Sequence, residues 1–539
     1  MSGTDAGGVH PAGNGSRSAA LGALVQRSLE ALGEETRAAL ARAPPEVCEP
    51  LEALLAASDF LAQSLVADPG LLPGLIAGGD LQRRSSAGEL AGRAPQLAPD
   101  TTEAQAQSLL RRWRRRELAR IAWRDLAGWA DLGETLGDLT AFADAAIAAA
   151  AAYGRHALVA RYGEPRSASG ALQPLVVVGM GKLGGGELNF SSDVDLVLLF
   201  PEHGETDGTR AIANEEFFTR LGQAVVRLLE APTAEGFVLR VDLRLRPFGD
   251  SGPLVASFGA FEDYLPRHGR DWERYAYVKA RAITSPERWA ALEASALRPF
   301  VYRRYLDYGV FESLREMKAL IEREVERREL ADDIKLGPGG IREIEFIVQA
   351  LQLTRGGRDR RLQTPALRAA LARLGEARLL PSAAVAGLGA AYTFLRRLEN
   401  RLQMLGDAQV HTLPAEPLAR ERIALAMGAR DWPALEAQLG EQRERVQAHF
   451  RQVIFGGIAR DDAAVRIDLG RFWDNRAEAA ALAEALTRAG FTDGLEAARL
   501  LLELRASNLV RKLDEPGRRR LQALLPALLQ DVARSREPL

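Results

Sequence analysis

Two aspartates near the middle of the chain, Asp193 and Asp195, are the residues whose type and spacing best suit chemistry. A glycine-rich stretch precedes them, and the wholly apolar run 196–200 that follows is typical of a buried strand. Because side chains alternate along a strand, both carboxylates are expected on one face, where they can reach the same divalent ion. Unpaired buried charge is unfavourable, so a compensating cation is needed. The pattern predicts a Mg²⁺ site; a pair of loop carboxylates without metal is the alternative.

The glycines before these aspartates have the spacing of a dinucleotide-binding turn, with Gly179, Gly181 and Gly184 directly after an apolar strand. That fold requires a full helix before the next parallel strand. Three consecutive glycines at 184–186 disfavour such a helix, and only about eight residues separate Gly184 from Asp193. The match to the dinucleotide fingerprint is therefore interpreted as coincidental.

A Walker-type loop is also disfavoured, because Lys182 is followed by leucine instead of serine or threonine. The remaining interpretation is a different phosphate-binding loop. Its backbone amides around Gly181, together with the hydroxyls of Ser191 and Ser192, would hold phosphate oxygens.

The run 237–246 alternates apolar and polar residues and is predicted to be the next strand. Asp242 then shares a face with Arg240, Arg244 and Arg246, which suits a metal-binding aspartate beside guanidinium groups that hold phosphate. An ordinary amphipathic strand with surface ion pairs is the alternative. With Asp193 and Asp195, this gives the three carboxylates of a two-metal phosphoryl or nucleotidyl transfer site.

The elements that position these residues indicate an α+β chain that is mostly helical. Apolar residues recur three and four apart on both sides of a central strand-rich region, and 539 residues imply about three or four domains. The predicted divisions are a flexible tail at 1–20, a helical domain at 21–155, an α/β domain at 156–297, a helical bundle at 298–458, and a linker with a last helical piece at 459–539. The linker is expected near residues 456–464.

Arginine greatly outnumbers lysine, 65 to 5, so the five lysines are candidates for positions where a compact ammonium matters. One predicted helix, residues 109–129, is loaded with arginine, and its apolar stripe leaves four of them pointing away. We interpret this as a solvated or acid-paired helix face, with a polyanion site as the alternative. The four are Arg111, Arg112, Arg115 and Arg116.

The overall composition narrows the compartment and the partners. A net charge of -2 offers no excess of positive charge for nucleic acid. The single Cys48 cannot form an internal disulfide, the N-terminus lacks the features of a signal peptide, and no apolar run of about 20 residues is present. These features favour a cytoplasmic protein that binds neither nucleic acid nor membrane.

The glycine motif, Ser-Asp-x-Asp and the later aspartate together resemble the nucleotidyltransferase superfamily of the DNA polymerase β type. From about residue 53 to the C-terminus, the chain is similar to the bifunctional glutamine synthetase adenylyltransferase/adenylyl-removing enzymes. The segments that carry this similarity are GMGKLGGGELNFSSDVDL, RVDLRLRPFGDSGPL, WERYAYVKARAI, KLGPGGIREIEFIVQ and RLQMLGDAQVHTLP. The segment GGGELNFSSD, the long helical prelude and a segment after Gly490 resemble the N-terminal, adenylyl-removing half of that family. The single Ser-Asp-x-Asp motif departs from the two-site pattern of the family and suits one half of it.

The resemblance implies a polymerase-β-like mixed sheet and Mg²⁺-dependent removal of AMP from a tyrosine of glutamine synthetase by phosphorolysis. It implies ATP or ADP and phosphate as small ligands, glutamine synthetase as protein substrate, and PII signalling protein as a further partner. Two other functions stay open, namely ATP-dependent adenylylation and a non-catalytic regulatory module. Carried over by motif, the metal ligands are Asp193, Asp195 and Asp242, and the phosphate contacts are Gly181, Lys182, Gly184, Ser191, Ser192, Arg244 and Arg246. Further motif residues without an assigned role are Lys279, Lys335, Arg342, Glu343 and Glu345. His203 and His411 are expected to be structural.

Overall fold

The computed structural model describes residues 18–303, 332–455 and 479–514, with parts of 517–533. Most of the predicted tail and the predicted linker near 456–464 lie outside the described residues. The chain divides into two compact units, Met1–Ile454 and Phe455–Leu539. The candidate site lies wholly within the first.

The first unit begins with helices whose ends are set by local capping. In the longest two, Thr102 forms a reciprocal capping box with Gln105, and the side chain of Asp131 accepts a hydrogen bond from the Glu134 amide. The nine helices before the first strand in the described residues are α1 (Ala19–Ala31), α2 (Glu34–Leu40), α3 (Pro45–Cys48), α4 (Leu51–Ala57), α5 (Asp59–Ala67), α6 (Leu71–Ala77), α7 (Ala87–Gly92), α8 (Glu103–Leu126) and α9 (Leu132–Tyr162).

The arginine-rich helix α8 is largely buried, which corrects part of the prediction for it. Arg111 is only 1% exposed, because its guanidinium donates to backbone carbonyls that include that of Gly236 at 2.7 Å. Arg120 and Arg124 are also buried, and each is paired with a carboxylate of α8 or α9. Acid pairing was predicted correctly for Arg116, which pairs with Asp80 and Glu117, but solvent exposure of Arg111 was predicted wrongly. The helical spacing of apolar residues in α8 could not show that carbonyls and carboxylates from other segments would cover this face.

Helix α9 is long and apolar enough, by length and composition, to cross a membrane. However, 61% of its most apolar stretch is buried inside the first unit. Its buried residues include Phe142 and Ile147, which belong to the core that also contains the central strand of the sheet. The helix therefore has the burial expected of a core helix.

A five-stranded mixed sheet carries the predicted chemistry. Its strands are β2 (Val176–Gly179), β3 (Val194–Phe200), β5 (Val241–Asp242), β6 (Val255–Ser257) and β7 (Arg281–Ala282). Strand β3 is central and runs antiparallel to β2, which in turn pairs antiparallel with β7. The other edge of β3 pairs in parallel first with β5 and then with β6. A separate antiparallel pair consists of β1 (Pro165–Ser167) and β4 (Gly204–Thr206).

The predicted strand over residues 237–246 was too long, since only Val241–Asp242 pairs as a strand. Before it, the amides of Val238 and Leu239 donate to the carbonyl of Leu229 at the end of a helix. After it, the Arg246 amide donates to the carbonyl of Leu243, which begins a turn. Arg244 and Arg246 therefore do not extend a strand face beside Asp242.

The remaining described helices belong to the first or the second unit, and the α+β class is confirmed for the described residues. Those of the first unit are α10 (Gly181–Gly184), α11 (Asn214–Glu230), α12 (Phe258–His268), α13 (Asp271–Tyr277), α14 (Pro286–Leu292), α15 (Arg298–Val301), α16 (Ile341–Arg355), α17 (Leu367–Glu376), α18 (Ser382–Gly406), α19 (Pro417–Ala426) and α20 (Trp432–Phe455). The described helices of the second unit include α21 (Ala479–Arg488), α22 (Gly494–Ala506) and α23 (Asn508–Arg511).

Candidate active site

The sheet places two of the three predicted carboxylates side by side. Asp195 lies directly opposite Asp242 in the parallel pairing of β3 with β5. Asp193 precedes β3 by one residue and is close enough to influence the ionisation of Asp195. The structure thus brings Asp193, Asp195 and Asp242 together at one end of the central strand.

Asp195 is the most confined of these carboxylates. Burial, followed by the nearby charge of Asp242, raises the pKa of Asp195 to about 6. Gly181 has φ +53°, and a Cβ atom placed there would lie 2.4 Å from Asp195 Oδ2. Glycine is therefore required at position 181 both by the backbone conformation and by the close approach of the carboxylate.

Arginine pairs with each of the other two carboxylates. Arg240 Nε donates to Asp193 Oδ1 at 3.0 Å, and Arg244 Nη2 donates to Asp242 Oδ2 at 2.5 Å. Hydrogen bonds from Arg244 hold the pKa of Asp242 below its ordinary value. Arg246 is not paired with Asp242, since its guanidinium donates to the Leu243 carbonyl at 2.9 Å, but its charge also lowers the pKa of Asp242.

The chemistry of this donor set fits a divalent cation, since three neighbouring carboxylates repel one another and favour a compensating positive charge. Among the residues that the structure describes, however, no three carboxylate, histidine or cysteine side chains are already converged as a metal cage. Asp193 and Asp242 are turned toward their arginines. The ligand assignment therefore stays a prediction.

The glycine stretch forms a single helical turn, Gly181–Gly184, between β2 and β3. A Cβ atom at Gly184 would lie 1.8 Å from the Lys279 carbonyl oxygen and 2.4 Å from that of Gly179. The absence of a side chain at Gly184 thus allows close backbone packing beside β7. Packing alone accounts for this glycine, and phosphate binding by it stays a prediction.

Lys182 is held in a buried ion pair with Glu399. Its Nζ lies 2.5 Å from Glu399 Oε1 and 3.4 Å from Ser192 Oγ. Burial lowers the pKa of Lys182 to about 8, with Glu399 opposing that shift. In this geometry the lysine anchors the glycine turn to α18, and its contact with phosphate stays a prediction.

Helix α18 also holds the loop that leads into β3, a role that sequence reasoning missed. Gln403 Oε1 accepts from the Ser191 amide at 2.8 Å, and Asn400 Oδ1 accepts from the Phe190 amide at 3.1 Å. The Ser191 hydroxyl donates to Asp407 at 2.9 Å, just beyond the helix, so it is engaged within the protein. The only pattern in the sequence is a set of polar residues three and four apart among the leucines of α18, which is also the pattern of a solvated helix face.

Three of the motif residues without an assigned role, Lys279, Glu345 and Lys335, lie near the same turn. Lys279 Nζ lies 2.5 Å from Glu345 Oε1, and His411 Nδ1 lies 2.9 Å from Glu399 Oε1. Lys335 is half-buried and close enough to Asp195 to affect its ionisation. The other three are Arg342, which is exposed, Glu343, which accepts from the Gly339 amide, and His203, whose ring packs edge-on against Phe200.

Comparison with known proteins gives two family matches along the chain. Residues 48–296 match the family of glutamate-ammonia ligase adenylyltransferase, and residues 315–454 match that of GlnD PII-uridylyltransferase. The first match contains the sheet and the three carboxylates described above.

Individual relatives match across nearly the whole chain. Three examples are bifunctional glutamine synthetase adenylyltransferase/adenylyl-removing enzymes. That of Thioalkalivibrio sulfidiphilus is 49% identical over 91% of this chain and 51% of its own length. Those of Nitrosococcus oceani and Pseudomonas aeruginosa are 46% and 42% identical, over 89% and 96% of this chain and 50% and 54% of their own lengths. The chain spans about half the length of these relatives, and the resemblance to bifunctional glutamine synthetase adenylyltransferase/adenylyl-removing enzymes that its motifs predicted is confirmed.

Proposed function

We propose that this chain is a nucleotidyltransferase that removes AMP from an adenylylated tyrosine of glutamine synthetase. The observation that carries the proposal is the register of β3 and β5, which sets Asp195 beside Asp242 with Asp193 one residue before the strand. Similarity to enzymes named for adenylyl transfer and removal supports the substrate. The choice of direction rests on resemblance to the adenylyl-removing half.

In the proposed reaction, an oxygen of inorganic phosphate attacks the phosphorus of the adenylyl group. The bond from that phosphorus to the tyrosine oxygen breaks, and the phenolate takes up a proton, which leaves ADP and free tyrosine. Asp193, Asp195 and Asp242 would hold Mg²⁺, which supplies positive charge to phosphate oxygens when bound. The arginines beside Asp193 and Asp242 would hold those carboxylates in place and add positive charge near the phosphates.

ATP-dependent adenylylation is the second candidate, because the same three carboxylates serve transfer in either direction. The bifunctional names of the relatives favour keeping it. PII signalling protein remains a proposed partner, supported by the match of residues 315–454 to a PII-uridylyltransferase family. A purely regulatory module has no physical need for three neighbouring carboxylates.

The test is to incubate the chain with adenylylated glutamine synthetase and to identify the nucleotide released. We expect ADP only when both Mg²⁺ and phosphate are present, and no labelling of unmodified glutamine synthetase from radioactive ATP. Labelling from ATP without phosphate-dependent ADP release would reverse the assigned direction. The absence of both activities, in a folded chain that binds Mg²⁺, would favour the regulatory module.

A further inference from the structure

Most charged side chains around the glycine turn are paired with a neighbour of opposite sign. The pairs are Asp193 with Arg240, Asp242 with Arg244, Glu399 with Lys182, and Glu345 with Lys279. Within the described ranges, the Asp195 carboxylate and the Lys335 ammonium are not joined in any such pair, either with each other or with a third group. One negative and one positive charge are therefore left facing the same region.

The backbone of Lys335 is held rigidly in the turn before α16. Asp333 Oδ1 accepts hydrogen bonds from the amides of Lys335 and Leu336 at 2.8 and 2.7 Å. The Lys335 carbonyl accepts from the Arg342 amide at 3.0 Å, in the first turn of α16. This carbonyl lies 2.8 Å from where a Cβ atom would be at Gly340, so the turn packs tightly on itself. The lysine side chain thus projects from a fixed point.

A short series of contacts joins this turn to the catalytic strand. The Ile334 amide donates to the His411 carbonyl at 2.8 Å, and His411 Nδ1 lies 2.9 Å from Glu399 Oε1. The same oxygen binds Lys182, whose neighbour Gly181 lies against Asp195. In agreement with this proximity, the charge of Lys335 lowers the pKa of Asp195, against the larger raising effect of burial.

The identity of the residue adds a second argument. Only five of the 70 basic residues are lysines, yet Lys182, Lys279 and Lys335 all lie around the glycine turn Gly181–Gly184. The first two are paired with buried carboxylates. A compact ammonium can reach a single phosphate oxygen in a confined site where a planar guanidinium fits poorly. The third lysine therefore has both the charge and the size for such a contact.

We propose that Lys335 binds a phosphoryl oxygen of the substrate in the nucleotidyl-transfer site. The proposal rests on the proposed function, because it places the reacting phosphates between Asp195 and Lys335. Two sources share this chemistry, the free phosphate that attacks and the phosphate of the adenylyl group. The contact balances the one positive charge that the protein leaves unpaired at this place among the described residues.

The experiment compares the full chain with Lys335→Met and with the matched control Lys512→Met, which removes the same charge from an exposed position of the second unit. Direct titration with ADP and Mg²⁺ measures binding of a nucleotide phosphate, and the KM for inorganic phosphate measures the nucleophile. We expect Lys335→Met to weaken at least one by about 10-fold or more, the effect of losing a charge-assisted hydrogen bond. Because the β-phosphate of ADP derives from the attacking phosphate, a higher KM for phosphate, with or without weaker ADP binding, assigns the contact to the nucleophile. Weaker ADP binding with an unchanged phosphate KM assigns it to the adenylyl phosphate.

Unchanged affinity for both ligands would overturn the proposal, as would a lower kcat and melting temperature with unchanged affinities, since that indicates a structural role. Should Lys335→Met fail to fold, Lys335→Gln is read by the same criteria. Absence of ADP release from the wild-type chain would count against the proposed function alone, because the ADP titration still reports on Lys335.

Discussion

At the scale of single residues, Asp195 differs from Asp193 and Asp242 in forming no ion pair among the described residues, although Lys335 and Lys182 are near enough to lower its pKa. An ionised carboxylate that is buried without a partner destabilises a fold unless a ligand compensates it. Asp195 therefore has a functional reason to remain charged. The same argument predicts that its removal should harm activity more than it harms the fold.

We expect Asp195→Asn to lower the rate of ADP release at least about 100-fold, the scale of losing one electrostatic stabiliser of a transition state. In metal-free buffer its melting temperature should be equal to or above that of the wild type, because a buried unpaired charge has been removed. Steady-state kinetics and thermal unfolding followed by circular dichroism measure the two effects.

The control is Asp250→Asn, an identical chemical change at a side chain that is 79% exposed nearby. It should leave both rate and melting temperature close to those of the wild type. An Asp195→Asn variant that keeps more than about a tenth of the rate would show that this carboxylate does not hold the metal.

At the scale of elements, the polar face of α18 fixes the loop that precedes β3. Glu399 is fully buried and accepts from Lys182 at 2.5 Å and from Asn189 at 2.6 Å, with Arg396 Nε at 3.1 Å. Although burial acts to raise the pKa of Glu399, Lys182 and the other donors hold it well below its ordinary value. The carboxylate is thus an ionised centre that joins a helix to a loop about 200 residues earlier in the chain.

We expect Glu399→Gln to lower the free energy of unfolding at pH 7 by about 3 to 5 kcal/mol, as is typical when one member of a buried ion pair is removed. The amide group would place donors against the donors of Lys182 and Arg396. Urea unfolding measures the loss. Exposed Glu441→Gln on α20 is the control and should be close to neutral.

The effect of Glu399 should also depend on pH with a definite sign. The folded pKa is depressed, so on acidification the unfolded chain takes up a proton before the folded chain does. The stabilisation is complete above the ordinary pKa of 4.5 and declines as the pH falls below it. The gap between wild type and Glu399→Gln should therefore narrow below about pH 4.5; a constant gap would contradict this account.

The glycine turn gives a second prediction about an element. Gly184→Ala should destabilise the chain by about 3 kcal/mol or more, because its Cβ would overlap the Lys279 carbonyl and neither backbone can yield easily. Gly137→Ala, in an exposed part of α9 with no atom within 4 Å of the new Cβ, should instead stabilise by up to about 1 kcal/mol. Thermal unfolding of both variants is the measurement. Equal effects would show that the close approach at Gly184 is not limiting.

The sequence predicted the central strand of this sheet well and its neighbour poorly. The apolar run after Asp195 can only be buried, whereas the alternation in 237–246 fits a turn as well as a strand once Arg244 bonds back to Asp242. The polar face of α18 was not predicted, because Glu399 and Gln403 have the spacing of an ordinary solvated face. What buries them is the loop around Ser191, over 200 residues away in sequence, and such distant contacts leave no local pattern.

At the scale of the whole molecule, the two compact units have separate apolar cores. The second unit buries its own cluster, which includes Leu486 and Phe491. The last helix of the first unit, α20, buries Val446 and Phe450 in the core that also contains part of the sheet. Each unit therefore has the main feature of an independent domain, a hydrophobic core of its own.

A chain shortened to end at residue 458, the predicted end of the helical bundle, should therefore fold and keep the candidate site. All the residues that pair around Asp195 and Lys335 precede this point, and α20 remains complete. We expect its rate of ADP release to stay within about 3-fold of the full chain, because less than about 1 kcal/mol of transition-state stabilisation should depend on the second unit. Circular dichroism establishes folding, and the shortened chain carrying Asp195→Asn gives the inactive baseline. A folded, shortened chain with activity no higher than that baseline would show that the second unit is needed for catalysis. The residues of the first unit would then not be sufficient for the reaction.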